Sequence, residues 1–224
     1  MCGRYTLSAS PEAIQEHFQL SEWGNLSLLE PRYNIAPSQN VSVIFQPESD
    51  SEKDLSFMKW GLIPHWAKDS KIGHKMINAR AETLTDKPAY RAAFKRQRCL
   101  IPADGFYEWK TLAGRKQPHH FRYHGSDVFA FAGLWEYWKG DKEIYSCTII
   151  TTEADDNVKN IYSRMPVILP HTFYDKWLDP DIQDTDALRS LLISETDDLE
   201  IYPVTTRVNS PNNQGAVLVE KMEQ

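Results

Sequence analysis

The 224-residue chain has no run of about 20 apolar residues, so no segment reads as a membrane-spanning helix. Its first residues, Met1-Cys2-Gly3-Arg4-Tyr5, lack the basic start and apolar stretch of a secretory signal. Cysteine is scarce. Three residues, Cys2, Cys99 and Cys147, are an odd number without regular spacing, which is a poor disulfide framework. No Cys/His spacing suggests a zinc site, and the adjacent His119 and His120 would point to opposite faces of a strand. No metal or other cofactor is implied. There is no internal repeat and no low-complexity segment. Together these absences point to a cytoplasmic protein with no membrane partner.

A strongly basic balance is missing too, since the net charge is -6. Its distribution is uneven. Between Lys68 and Arg98 stand nine basic residues and three acids, whereas Thr172 to Glu200 holds nine acids and two basic residues. A polarised surface of this kind can meet a polyanion on one side. On charge alone, a solvated charged surface is the simpler reading.

What is present is enough apolar sequence, 41%, to bury the core of a single domain spanning residues 1–224. Apolar spacing predicts a helix over Pro11–Leu20, capped by Ser8 or Ser10, and an extended loop over Arg32–Ser38 because Pro37 disfavours helix before it. Strands are predicted at Val41–Phe45 and Leu55–Gly61, joined by a polar hairpin connection. Leu62–Asn78 has the texture of a functional loop. Ala79–Phe94 reads as partly helical and interrupted by Pro88. Strands follow at Arg98–Ile101, Gly105–Lys110, His119–Tyr123, Val128–Trp135 and Tyr145–Thr152. Helices at His171–Leu178 and Asp184–Leu192, and strands at Ile201–Thr205 and Ala216–Val219, complete the chain. The pattern predicts an α+β fold with one curved, barrel-like, mostly antiparallel sheet and a few peripheral helices.

Cys99 and Cys147 lie in β-prone apolar runs and read as inert buried residues. Cys2 belongs to no such run. Methionine is normally trimmed before a small second residue. Trimming here would leave an α-amine and a thiol on one residue, a 1,2-aminothiol that condenses with an aldehyde to an imine and then closes a thiazolidine ring. Ordinary pKa values of about 8 for the amine and about 8.5 for the thiol keep both nucleophiles available near neutrality.

Seven blocks in order resemble the SOS-response-associated peptidase family, the abasic-site processing proteins. They are Met1-Cys2-Gly3-Arg4-Tyr5; Arg32-Tyr33-Asn34-Ile35-Ala36-Pro37; Trp60-Gly61-Leu62-Ile63-Pro64 with Trp66; Ile77-Asn78-Ala79-Arg80-Ala81-Glu82; the run from Cys99 to Trp109; Arg164-Met165-Pro166-Val167; and Val208-Asn209. The resemblance implies that single-stranded DNA carrying an abasic site is the partner and that Cys2 captures the sugar aldehyde after loss of Met1. It implies Glu108 as the catalytic carboxylate, which a setting between Tyr107 and Trp109 would partly desolvate, and Asn78 as the active-site amide. Arg80 and Arg164 would bind phosphate, and Arg4 would join them on the DNA. Trp66 and Pro37 would pack against bases beside the lesion. Each residue also has a plainer reading: a solvent-facing charge for Glu108, a turn cap for Asn78, a surface or salt-bridge role for the arginines, core for Trp66.

One departure stands out. Where the family usually has histidine, two residues before the arginine of the Arg-Met-Pro block, this chain has Tyr162. An ordinary phenol titrates near 10 and is a poor base at neutrality, so the resemblance leaves Cys2 capture intact and puts crosslink reversal in question. The alternative from another class is an amino-terminal-nucleophile amidohydrolase using Cys2, and a third is a non-catalytic single-strand binder.

Overall fold

The computed structural model describes residues 2–21, 24–124, 128–194, 196 and 198–223. Met1, whose removal is expected from the sequence, lies outside the described residues. The chain opens with β1 (Tyr5–Leu7), α1 (Pro11–Phe18) and β2 (Arg32–Ile35), then the hairpin of β3 (Asn40–Phe45) and β4 (Asp54–Trp60). After β5 (Asn78–Arg80) and α2 (Arg91–Arg96) come β6 (Arg98–Ala103), β7 (Gly105–Leu112), β8 (Arg115–Tyr123), β9 (Phe129–Lys139), β10 (Glu143–Glu153) and β11 (Arg164–Pro166). The short helices α3 (Tyr174–Leu178) and α4 (Thr185–Ser190) precede β12 (Leu199–Pro203). No helix among the described residues is long and apolar enough to cross a membrane.

The expected α+β, barrel-like architecture is present, with a second sheet beside the barrel. Strands run in the order β10-β4-β3-β6-β9, and β9 pairs back onto β10, closing a five-strand barrel. β5 and β11 extend the barrel by pairing with the far end of β10. The second sheet has the order β12-β8-β7-β1-β2. Most pairings are antiparallel; β10 pairs in parallel with β4 and β5. Full closure leaves those five strands without an open edge between them, while alternate residues fill the interior.

β6 is buried at all six positions because its outer side is also covered, by α2 and α3. Arg98 is the polar member of that set, 2% exposed. Its guanidinium donates to the carbonyls of Phe94 (3.0 Å) and Lys95 at the end of α2, and of Trp177 (2.6 Å) and Asp179 at the end of α3. Helix ends leave such carbonyls without partners, and one forked cation satisfies both ends. Burial lowers its pKa to about 10, with Asp179 opposing. Arg98 is therefore removed from the basic surface inferred from the sequence.

Ser10 caps α1, accepting from the Ala13 amide at 3.2 Å. The structure corrects three local expectations. Arg32–Ile35 is a strand, held against β1 with Tyr5 opposite Ile35; only Ala36-Pro37-Ser38 turns away. The expected partial helix over Ala79–Phe94 is reduced to α2, because Asn78–Arg80 pairs with β10 and Pro88 blocks helix until Arg91. Ala216–Leu218 is a short 3₁₀ turn, not a strand; Leu218 is buried while Val217 faces out. The short β1 and β11 were not legible as strands.

His120, on β8, is 3% exposed between Tyr107 and Tyr202. Tyr202 Oη donates to the Val219 carbonyl at 3.0 Å, so it accepts from His120 Nδ1 at 3.1 Å and fixes the neutral tautomer. Burial, with the Arg122 charge, lowers the pKa from 6.5 to about 3. The unfolded chain binds the extra proton between those values, so stability falls as pH drops through that window. Denaturant titrations should show a loss on the order of 4 kcal/mol from this group between pH 6.5 and 3. His120→Gln should lack that portion of the acid limb; an unaltered pH slope would place the loss elsewhere.

Candidate active site

Cys2 enters just ahead of β1 and is completely enclosed, as are the other two free cysteines, Cys99 and Cys147. Its surroundings set it apart. Asn78 Nδ2 donates to the Cys2 carbonyl at 2.9 Å. Burial pushes the Cys2 thiol far up, and the charge of nearby Glu108 adds to the effect. The thiol is thus kept as S–H, with weak donation toward the Arg4 carbonyl at 4.0 Å.

Asn78 is the first residue of β5, with its position set by pairing opposite Ile149, and its carbonyl accepts from Tyr90 Oη at 3.3 Å. Its side-chain Oδ1 is buried without a hydrogen-bond partner among the described residues. This is not the geometry of a turn cap. Glu108, on β7, is 3% exposed, so the solvent-facing reading fails. Burial raises its pKa to about 7, with Lys116 among the charges that oppose the rise. A carboxyl so poised is populated in both protonation states near neutrality, as a general acid or base requires.

The segments before and after the barrel are fastened around this point. Arg4 Nη1 donates to Asn34 Oδ1 at 2.8 Å and to the Val208 carbonyl at 2.7 Å, while Nη2 reaches the Asn209 carbonyl at 3.1 Å. Asn34 Nδ2 donates to the carbonyls of Val208, Ser210 and Asn213. Trp109 Nε1 donates to Asn209 Oδ1 at 2.7 Å. Arg4 is thus engaged internally, joining the first, second and last of the seven blocks.

Arg80 and Arg164 flank β10, opposite Thr151 and Glu153 respectively. Arg80 is exposed. Arg164 forks onto Glu82 at 3.0–3.2 Å and donates to the Thr151 carbonyl at 2.8 Å, with Nε buried and unpartnered among the described residues. Partial burial works against it, yet Arg164 holds the Glu82 carboxyl below its ordinary value.

Trp66 is 52% exposed, so the core reading fails for it. The loop that carries it is fixed to the barrel by Ile63 N to Ser146 Oγ (2.8 Å), Trp138 Nε1 to the Ala67 carbonyl (2.7 Å), and His65 against buried Glu136 (3.4 Å). At its base Gly61, with φ +134°, approaches Gly73 so closely that a Cβ on Gly61 would sit 2.5 Å from the Gly73 carbonyl oxygen. Pro37 adjoins Ser38, whose hydroxyl lies 2.9 Å from His74 Nδ1 of the same loop.

Two grooves open beside the neighbours of buried Cys2, one at Asn78 and one at Glu108. One, of about 390 Å³, is lined by Trp66, Met76, Asn78, Arg80, Lys87 and Tyr90, among others. The other, of about 750 Å³, is lined by Glu108, Lys110, Lys116, Tyr162, Asn160 and Asn209, among others. Cys2 is tied to the first through Asn78 and to the second through Glu108. Tyr90, Lys87, Lys110 and Lys116 were not singled out from the sequence. Strand alternation puts Lys110 on the face of Glu108, whereas the hairpin sets Lys116 opposite Thr111 on the other face; both still line the groove at the end of the hairpin. No cluster of three His, Cys, Asp or Glu side chains fit to hold a metal exists among the described residues.

Comparison with known proteins identifies the family. Residues 1–211 match the family described as SOS response associated peptidase (SRAP). Abasic site processing protein YoaM of Bacillus subtilis is 47% identical over 98% of both chains. Abasic site processing protein HMCES of Xenopus tropicalis is 32% identical, covering 95% of this chain and 76% of its own. A crystal structure of a protein from Bacteroides thetaiotaomicron superposes with a TM-score of 0.85 at 25% identity, covering 99% of this chain and all of that one. The chain belongs to the SOS response associated peptidase family.

Proposed function

We propose that this protein processes abasic sites in single-stranded DNA by forming a covalent thiazolidine at Cys2 once Met1 has been removed, shielding the lesion. The observation that carries this reading is the junction at Cys2, where an asparagine amide grips the backbone and the charge of a carboxyl with a pKa of about 7 acts on the thiol. Relatives named abasic site processing proteins support it. Removal of Met1 turns the Cys2 amide nitrogen into a primary amine. The unpartnered Asn78 Oδ1 is then an acceptor available to orient that amine. We include self-removal of Met1 in the proposal, with the buried carboxyl as its proton carrier.

The abasic sugar is mostly a closed hemiacetal. Protonated Glu108 donates to the ring oxygen as the C1′–O4′ bond breaks and the C1′ hydroxyl gives up its proton to solvent water, leaving the aldehyde. The Cys2 amine adds to C1′, water departs, and an imine remains. The thiol, kept neutral by its surroundings, adds across the imine carbon while its proton passes to nitrogen. Trp66 and Pro37 hold unpaired bases without reading sequence, and Arg80 meets phosphate. Arg164 reaches phosphate only by sharing its fork with Glu82, and Arg4 contributes by bracing the amino-terminal segment.

Processed protein incubated with single-stranded DNA bearing one abasic site should give a covalent, heat-stable band. Cys2→Ala should lose it, as should protein retaining Met1. An undiminished adduct from Cys2→Ala would sink the reading.

Because the Glu108 carboxyl titrates near 7, its acid form is depleted above that pH. Single-turnover adduct formation should therefore slow as pH rises through about 7. Glu108→Gln should be slower throughout, on the order of 100-fold, with that inflection gone and DNA affinity kept. Crosslinking by the variant at the wild-type rate across the pH range would make Glu108 structural.

Tyr162 lines the Glu108 groove with its side chain partly exposed. Reversal of the crosslink needs a proton moved on and off a heteroatom near neutrality, a task suited to the imidazole that the family resemblance implies at this position. Tyr162→His should accelerate exchange of a preformed crosslink onto excess unlabelled abasic strand more than it accelerates capture. Exchange in the wild type already as fast as in the variant would assign reversal to another group, with His74 and His65 next to test.

A further inference from the structure

Capture at Cys2 needs phosphate to be held on both sides of the lesion, and the arginines cover one side. Arg80 belongs to the groove beyond Asn78. Arg4 is consumed by carbonyls and Asn34, and Arg164 is forked onto Glu82. At Glu108 the groove over the β7–β8 hairpin is the larger of the two, and its cations are lysines. Lys110 is partly exposed and Lys116 exposed, on strands joined by a turn in which Ala113 (φ 46°) and Gly114 (φ 78°) both adopt left-handed conformations. The tight turn sets the two strands in register, Lys110 opposite Gln117 and Thr111 opposite Lys116. Neither ammonium is taken up by an ion pair among the described residues. Lys116 is close enough to Glu108 to influence its proton. The walls between these groups present Tyr162 and the indole of Trp109, whose Nε1 is fixed on Asn209, as faces for a base or sugar.

The geometry points to Lys110 and Lys116 as phosphate-binding residues for the stretch of single strand that leaves Cys2 over the β7–β8 hairpin. This rests on the proposed reading of Cys2 as the point of lesion capture. The strand path is then continuous: Trp66 and Arg80, then the lesion at Cys2 between Asn78 and Glu108, then the lysine-walled groove. Lysine suits this place as a compact charge on a flexible stem that follows a mobile backbone without imposing bidentate geometry. It also places the Lys116 charge near the carboxyl that must trade a proton, and a bound phosphate would offset its pull on that carboxyl.

The test uses full-length processed protein and fluorescence anisotropy with a fluorescein-labelled single strand of mixed sequence lacking any abasic site, titrated across a salt series. Lys110→Gln with Lys116→Gln should flatten the slope of log affinity against log salt by about 1.4, roughly 0.7 for each phosphate no longer neutralised. Affinity at 0.1 M salt should fall roughly 10-fold or more. Lys139→Gln, which removes a lysine lining neither groove, should leave the slope unchanged. Circular dichroism and the melting midpoint verify that the double variant is folded. If the variant is misfolded, Lys116→Gln alone at the exposed position should still flatten the slope by about 0.7. A wild-type slope and affinity in the folded lysine variants would overturn this inference while leaving Cys2 capture standing. Failure of the wild type to bind single strands at all would overturn both. Normal binding with lysine-dependent slope but no adduct on an abasic strand would support the lysines and remove the capture chemistry.

Discussion

Strand β10 is the constraint on which the rest of the molecule depends, because it is hydrogen-bonded along both edges for most of its length. One edge pairs with β4 at Ser146–Cys147 and then with β5 at Ile149–Thr151. The other takes β9 from Glu143 to Ile149, and β11 takes Thr151–Glu153. The strand is buried from Ser146 to Thr151. A strand held on two sides by backbone hydrogen bonds cannot slip by one residue without turning its buried side chains out. That rigidity is handed to the site: Asn78, Arg80 and Arg164 are all positioned by pairing with β10, and Ser146 pins the Trp66 loop.

A second set of ties draws the barrel's flanking sheet to the same spot. Tyr5 stands opposite both Ile35 and Phe106, so β1 lies between β2 and β7. Cys2 lies just ahead of β1 and Glu108 is on β7, two neighbouring strands of one sheet. Arg4, Asn34 and Asn209 then lock the amino-terminal strand to the end of the chain. The residues of the candidate site therefore come from two different sheets, Cys2 and Glu108 beside or on one and Asn78 on the other, and Cys2 sits where the sheets meet. Low exposure at that junction is what raises the Glu108 pKa and keeps the Cys2 thiol neutral. The same enclosure strengthens any electrostatic contact made there with a substrate.

The sequence was informative about the long strands, whose alternation and β-branched content survive into β3, β4, β6, β9 and β10 with boundaries shifted by a few residues. It was misleading where only a partner decides the conformation. Arg32–Ile35 has no pattern of its own and becomes a strand because β1 lies beside it. Ala216–Leu218 has strand-like composition and becomes a turn because no strand edge receives it. Arg98 read as surface charge and is buried, since no local signal announces that two helix ends will supply four carbonyls to one guanidinium.

Residue types and their order, by themselves, determined the family resemblance, the aminothiol potential of Cys2 and the unusual tyrosine at position 162. These are properties of covalent structure and chain position. Only the tertiary structure decided that Glu108 is buried with its pKa raised to about 7, that Trp66 faces solvent on a fixed loop, that Arg4 and Arg164 are engaged internally, and that Lys110 and Lys116 line the groove beside Glu108. Burial, proton affinity and the pairing of charges depend on which strands lie side by side. That adjacency arises from barrel closure and from contacts up to about two hundred residues apart in the chain, such as Arg4 with Val208, so no short window of sequence contains it.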